Sequence, residues 1–334
     1  MTREREEALE GNEGRMSLRP EQVEAFFRAV NERTPPAPLS RPLTFEQMQY
    51  VEEQLPKAFE AIGMHTVSDA ALKAALASDK HLYSLRERAL FVQPADLPSR
   101  RFFRFRGRMP ALHTALVRLL TDAAGAGQRR LRFWNPLCGA GADTYSLAAM
   151  ARLALNATGA HSTIEVIGSD LLPAALRSAE AGHFEFRRAE WRDYVDTHKR
   201  LFGEESITEE AQLPISTKHL PPGVEMFFTT TRLDEGGYAI APGEILRPMA
   251  RFRLVNLLRF SEVGQLGAFE AVMTFSPAVV SDTPAARQLR NAIAFAVRRG
   301  GYLVLPETPS APPDLLGGEH GFEMLEPGLF YRVR

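Results

Sequence analysis

The chain is almost without cysteine, with Cys138 alone among 334 residues. A single thiol cannot close an internal disulfide, and no zinc-type Cys/His spacing surrounds it, so cross-links and a structural metal are excluded as sources of stability. A reducing, cytoplasmic setting is expected. An excess of charge of one sign is lacking as well: 40 Lys and Arg against 41 Asp and Glu leave a net charge of -1. No overall field then gathers nucleic acid or an anionic membrane surface, and neither is expected as a partner. Also missing are any run of about 18 apolar residues and any secretory apolar region behind the charged stretch Met1 to Arg15, so no membrane insertion is expected. What is present is 45% hydrophobic residues, enough for one large core or two domains of ordinary size.

Residues 1–16 hold too little apolar material to offset the entropy of ordering them and read as a flexible leader. From Ser17 the pattern is helical. Val23, Phe26, Phe27 and Val30 share one face behind Pro20, and Thr44, with Gln47 reaching back, opens a second helix that turns Phe45, Met48, Val51, Leu55 and Phe59 inward. Between them Thr34 to Pro42 carries four prolines and is a loop. Ser68 to Leu76 reads as a third helix, so residues 17–95 form an all-helical domain, followed by a linker and covering helix at 96–130.

From Leu131 strand and helix signals alternate, which predicts a parallel sheet covered on both faces over 131–334. LRFWNP (131–136), IEVIGSD (164–170), RFRLVN (251–256), FEAVMTF (269–275) and YLVLPE (302–307) are the strand candidates. Helices are expected at 145–155, 173–181 and 284–299, with Gly300-Gly301 stopping the last, and FEML and LFYRVR form a terminal hairpin. Between Ala181 and Arg251 lie about 70 residues, too long for a bare loop, so a subdomain is inserted at about 186–248, helical at Arg188 to Phe202 and antiparallel β after it.

In such a sheet a ligand sits outside the carboxyl ends of the strands. The loop after the first strand, Asn135 to Asp143, contains Cys138, Gly139 and Gly141 and lacks the GK[ST] of a phosphate-binding loop. Its glycines are read either as a close approach to a ligand or as ordinary turn glycines. Asp170 ends the second strand, where a carboxylate can accept both hydroxyls of a ribose; the plainer reading is a cap for the helix after Pro173. A glycine loop and an acid in these places specify a nucleoside ligand.

These segments resemble, in order and over most of the chain, the CheR family, which transfers methyl from S-adenosylmethionine to glutamate side chains of bacterial chemoreceptors. FFR (102–104), then a helix from Pro110 to Leu120, is similar to the family's segment over the cofactor. FWNPLCGAGADTYSLA (133–148) is similar to W-S-x-G-x-S-x-G-E-E-P-Y-S-x-A, matching at Trp134, Gly141, Tyr145 and Ser146. VIGSDLLPAALRSAEAGHF (166–184) and MARFRLVNLL (249–258) are similar to its second-strand acid segment and its V-x-F-x-x-x-N-L-L.

The resemblance implies a class I S-adenosylmethionine methyltransferase fold, α/β and Rossmann-like, with an N-terminal helical domain and an inserted small β-subdomain. It implies S-adenosylmethionine, or S-adenosylhomocysteine, as cofactor and a chemoreceptor or other chemosensory protein as partner. Arg104 takes the cofactor carboxylate and the reaction centre, although it also belongs to a basic run with Arg100, Arg101, Arg106 and Arg108. Asp170 takes the ribose, Asn256 and Leu257 the adenine surroundings, and Cys138, Gly139 and Gly141 line the loop.

Several positions depart from the pattern. The family's first glutamate, which binds the cofactor ammonium, is Ala142, with Asp143 one residue later. The hydroxyl before FFR is left to Ser99. FEAVMTFSPAVVSD (269–282) aligns with F-D-x-I-x-C-R-N-V-x-I-Y-F, so that the arginine is Phe275 and the Asn and Tyr of the transfer site are Ser276 and Val280. Two functions are therefore carried forward: receptor-glutamate O-methyltransferase, or a non-catalytic relative that binds a partner or senses the cofactor in chemosensory signalling.

Overall fold

The computed structural model describes residues 18–33, 45–90, 100–104, 108–202, 221–234, 237–276, 279, 284–306, 316 and 321–333. Thr44, Ser99, Arg106, Pro277, Ala278 and Val280, singled out above, lie outside them. The chain divides into two compact units, Met1–Ala95 and Asp96–Arg334.

The first unit holds α1 (Pro20–Arg33), α2 (Phe45–Ala61), α3 (Asp69–Ala77) and α4 (Asp79–Leu90). Phe26, Val51, Leu55, Phe59, Leu72, Leu82 and Leu85 form its core, while Phe27 is only partly buried against it. Ser68 caps α3 by accepting the Ala71 N–H at 3.2 Å. α4, absent from the sequence reading, begins after Ser78 alone and brings Leu82, Leu85 and Ala89 inward. Arg33 ties the α3–α4 corner, donating to the carbonyls of Leu76 and Ala77 and pairing with Asp79.

The second unit runs α5 (Met109–Gly125), β1 (Arg130–Pro136), α6 (Ala142–Thr158), β2 (Thr163–Asp170), α7 (Pro173–Ala181), β3 (Phe184–Phe186) and α8 (Arg188–Phe202). It continues with β4 (Phe228–Arg232), β5 (Tyr238–Pro242), β6 (Ala250–Leu254), α9 (Phe260–Leu266), β7 (Phe269–Met273), α10 (Pro284–Ala296), β8 (Val297–Val304), β9 (Phe322–Glu326) and β10 (Leu329–Arg332). Seven strands form one sheet in the order β6-β2-β1-β7-β8-β10-β9. β6, β2, β1, β7 and β8 are parallel neighbours, and the β9–β10 hairpin supplies the antiparallel margin. The α/β architecture with a mostly parallel sheet expected from the sequence is thus the observed one. β3, β5 and β4 make the small antiparallel sheet of the insert.

The period of two in β1 explains how one sheet serves two cores. Phe133 enters a cluster with Leu116 and Leu120 of α5 and Leu147 and Met150 of α6. Its neighbour Trp134 enters the opposite cluster with Val263 of α9 and Leu289 and Ile293 of α10. No helix among the described residues is long and apolar enough to cross a membrane.

One expectation needs correction. Gly300-Gly301 does not end the helix, which stops at Ala296; the chain passes straight into β8, and both glycines lie inside that strand. Gly300 has φ +75°, and a Cβ on Gly301 would stand 2.8 Å from the carbonyl oxygen of Glu270. The glycines therefore let β8 bulge against β7, where the register shifts between Phe269 and Ala271.

Two glycines give opposite expectations for stability. A Cβ on Gly168, within β2, would lie 2.6 Å from Thr144 Oγ1 and 2.7 Å from the Phe252 ring. Gly168→Ala should cost about 1–3 kcal/mol in urea unfolding by forcing that ring to move. Gly264, within α9, has nothing within 4 Å of such an atom, and Gly264→Ala should be neutral or stabilise by up to about 1 kcal/mol.

Candidate functional site

The parallel strands deliver the expected site residues to one edge of the sheet. The glycine loop follows β1, Asp170 ends β2, Asn256 and Leu257 follow β6, and Ser276 follows β7. β1 lies between β2, which precedes it in the order, and β7, which begins the other half, so the loop leaves where the winding reverses.

Asp170 holds that edge together. Its Oδ2 accepts the Gly139 N–H at 2.8 Å and its Oδ1 the Leu172 N–H at 3.1 Å. The Val255 N–H donates to the Asp170 carbonyl at 3.0 Å and the Cys138 N–H to the Ser169 carbonyl at 3.0 Å. Leu172 occupies the cap position of α7 and offers no side-chain bond there, so Asp170 holds the entry to that helix from two residues before it. The Asp170 carboxylate also faces the loop, 7% exposed.

The loop is bent by positive φ at Leu137, Gly139 and Gly141. At Gly141 the turn and the packing both call for glycine. With φ +92° its missing Cβ would fall 2.6 Å from the Cβ of Ala179, on α7, and 3.1 Å from the ring of Phe252. Glycine there permits α6, α7 and β6 to meet. Cys138 also turns inward, with no exposed surface. Burial first, and then the charge of Asp170, push its thiol well above the ordinary range.

Arg104 and Asp143 are brought together across 39 positions of sequence. Arg104 Nε donates to Asp143 Oδ2 at 3.0 Å and Oδ1 at 3.2 Å, and Nη2 also reaches Oδ2. Asp143 is buried, in the first turn of α6, while the arginine side chain keeps 17% of its surface exposed. Arg104 is aimed by its neighbour: Phe103 adopts φ +51°, and its N–H donates to Ser146 Oγ at 2.9 Å. That hydroxyl in turn donates to the Ala142 carbonyl at 2.8 Å. The Phe102 ring packs edge-on against Phe184 at 4.8 Å and Phe228 at 4.9 Å, which fastens the segment to the small sheet.

The remaining candidates shape turns. Asn256 donates its N–H to Glu262 at 2.8 Å and accepts that of Leu258 on Oδ1 at 2.9 Å. The Leu257 side chain is built into the core beside α9. The Ser276 N–H reaches Thr274 Oγ1 at 3.4 Å, and Phe275 is 2% exposed within the core. The sequence reading passed over Asn135, whose side chain donates to the Met273 carbonyl at 2.7 Å and accepts the Thr144 hydroxyl at 2.8 Å. It joins β1, β7 and α6 beneath the loop; the signal was an amide at the end of an apolar strand.

Against this geometry the comparisons with known proteins can be set. Residues 99–206 match the family profile "CheR methyltransferase, SAM binding domain". A chemotaxis protein methyltransferase of Listeria monocytogenes is 36% identical over 98 residues, 29% of this chain and 34% of that protein. That of Listeria innocua is 33% identical over 90 residues, 27% of this chain and 31% of that protein. The chain thus spans about a third of the length of these relatives. An uncharacterized 104.1 kDa protein of Rhodobacter capsulatus is 28% identical over 211 residues, 63% of this chain and 18% of that one. Among solved structures, magnesium protoporphyrin IX methyltransferase of Synechocystis with bound SAM is 14% identical at a TM-score of 0.31, covering 75% of this chain and 88% of that one. The rRNA methyltransferase aviRa of Streptomyces viridochromogenes is 19% identical at 0.31, covering 65% and 84%.

Two outcomes follow from the geometry. Arg104→Met leaves Asp143 buried without its partner and should cost about 2 kcal/mol in urea unfolding. Adding Asp143→Leu should restore part of that loss, and strict additivity in the double-mutant cycle would show that the pair is not coupled. Cys138 should resist a maleimide at pH 8 in the native protein and react fully once urea unfolds the chain; rapid native labelling would contradict its burial.

Proposed function

We propose that this chain, a CheR-type family member through residues 99–206, binds S-adenosylmethionine at the carboxyl edge of β1 and β2 and transfers its methyl group to carboxylates of a chemosensory protein. The observation that carries the reading is the Asp170 carboxylate set 2.8 Å from the Gly139 N–H, where the sheet reverses its winding.

The donor set fits the cofactor. A carboxylate offers about four acceptor directions, so ribose hydroxyls can join the backbone N–H groups already on Asp170. The amino-acid end of the cofactor carries one ammonium and one carboxylate, and Arg104 with Asp143 supplies one charge of each sign to receive them. Asp143 thereby stands in for the glutamate that Ala142 replaces. Ser99, Cys138, Gly141, Asn256, Leu257 and Ser276 complete the proposed surroundings, Cys138 and Gly141 by shaping the loop. The bound cofactor supplies a methyl group on a sulfonium. An acceptor carboxylate is already ionised at neutral pH, so alignment, not a base, is what these residues must provide. Arg104 is the group placed to orient it. The domain at 17–95 and the insert at 186–248 are assigned to holding the partner, a chemoreceptor or other chemosensory protein, in the cytoplasm.

Burial of Phe275 where the family pattern has arginine favours a second reading. A side chain absorbed into the core cannot face an acceptor, and the chain then works as a non-catalytic cofactor-binding or partner-binding module.

Calorimetric titration of the full chain with S-adenosylmethionine and S-adenosylhomocysteine tests the shared premise. Saturable binding is expected, weakened about ten- to a hundredfold by Asp170→Ala, the loss of a hydrogen bond to a charged group. Asp170→Asn, which keeps an acceptor for Gly139, separates a distorted loop from a lost ribose contact. Absence of binding at millimolar ligand refutes the methyltransferase reading and leaves only a partner-binding scaffold. Methyl-labelled cofactor with a panel of chemoreceptors then divides them: labelled glutamate supports the enzyme, binding without transfer the module.

A further inference from the structure

A cavity of about 310 Å³ lies beside β6, lined by Tyr145, Glu180, Arg247, Phe252, Arg251 and Arg253 among others. β6 ends the seven-stranded order, with β2 its one neighbour among the described residues. The Val255 N–H donates inward, to Asp170. In a parallel ladder alternate residues turn their main-chain groups to the same side, so Arg251 and Arg253 also bond toward β2. Phe252 and Leu254 turn theirs to the open side, where no described strand meets them.

That open edge is strongly basic. Arg247 donates to the carbonyls of Pro242, Ala181 and Gly182, at 3.1–3.2 Å, and is held rigidly by them. Among the described residues the Arg251 guanidinium reaches only the Ala250 carbonyl, at 3.0 Å. Arg253 has no polar partner among the described residues, and none of the three arginines forms an ion pair there. Glu180 is the one acidic side chain on the cavity wall. Charged side chains on an edge strand also serve to deter pairing with other chains. Deterrence, however, needs neither a cavity nor a guanidinium locked into place beside it.

The geometry points to the outer edge of β6 as a docking site for an extended acidic segment of a partner protein. Such a segment adds a strand beside Phe252 and Leu254 and bonds to their main-chain groups. Its side chains on one face repeat at about 6–7 Å, the spacing of Arg251 and Arg253, so carboxylates at alternate positions meet the two arginines. One side chain enters the cavity beside Arg247. A small anion would answer the arginines and leave the main-chain groups of Phe252 and Leu254 unmet, which is why a strand is the better occupant. None of this uses the cofactor residues, so it stands or falls separately from the methyltransferase reading.

The test uses the full chain without cofactor and a labelled extended peptide in which glutamate alternates with valine or threonine, followed by fluorescence anisotropy. Saturable binding is expected, weakened about tenfold or more by Arg251→Glu with Arg253→Glu and weakened as salt rises. Amide exchange at Phe252 and Leu254 should slow in the complex, and a peptide N-methylated at alternate residues should lose binding. Both arginines are exposed, so the variant should keep its unfolding midpoint; should it not fold, the N-methylated and lysine-for-glutamate peptides decide with the unaltered chain. No saturable binding, equal binding of the lysine peptide, an indifferent double variant, or full displacement by glutarate at matched carboxylate concentration would overturn the proposal.

Discussion

One carboxylate governs how the working edge of the sheet is arranged. Asp170 gathers the N–H groups of Gly139 and Leu172, so the loop after β1 and the entry to α7 are fixed by the same side chain that the cofactor reading needs. Charge-assisted bonds of this kind are roughly twice as strong as neutral ones. Under the proposed function, the same group that builds the loop would receive the ligand, and the pocket would need little rearrangement before binding.

The pairing of Arg104 with Asp143 adds the second constraint. An arginine in an exposed basic run would be a solvated side chain, and composition alone favours that outcome. The difference lies in Ser146, which holds the N–H of Phe103 while that residue is in the left-handed region. A non-glycine residue in that region costs energy that surrounding contacts must offset. Here the Ser146 hydroxyl and the packing of Phe102 and Phe103 against Phe228 do so, and the chain turns Arg104 onto α6.

The strands of the sheet were legible because a buried parallel strand is written as a short apolar run, as in IEVIGSD and FEAVMTF. Asp170 was legible because an acid closes such a run. The misreadings have equally local causes. Gly300-Gly301 carries the same signal whether it stops a helix or bends a strand, and only the nearby Glu270 carbonyl decides. α4 was hidden because a single residue, Ser78, separates it from α3. Gly141 was left open between a turn and a ligand approach, and its close packing on Ala179 is a contact 38 positions away in the chain that no local pattern encodes. The Arg104–Asp143 pair is of the same kind: each residue was singled out, and their meeting was not.

The opposite margin of the sheet has its own buried anchor. Glu270, at the start of β7, accepts the Arg132 N–H at 2.6 Å, the Gln128 amide at 2.8 Å and the Arg298 guanidinium at 2.7 Å. β7 is therefore gripped by a charge at its first residues and leads on to Ser276 beyond its end. Inherited variation along that strand should divide accordingly: changes near Glu270 act on how much folded protein a cell holds, and changes near Ser276 bear on the transfer site of the proposed function.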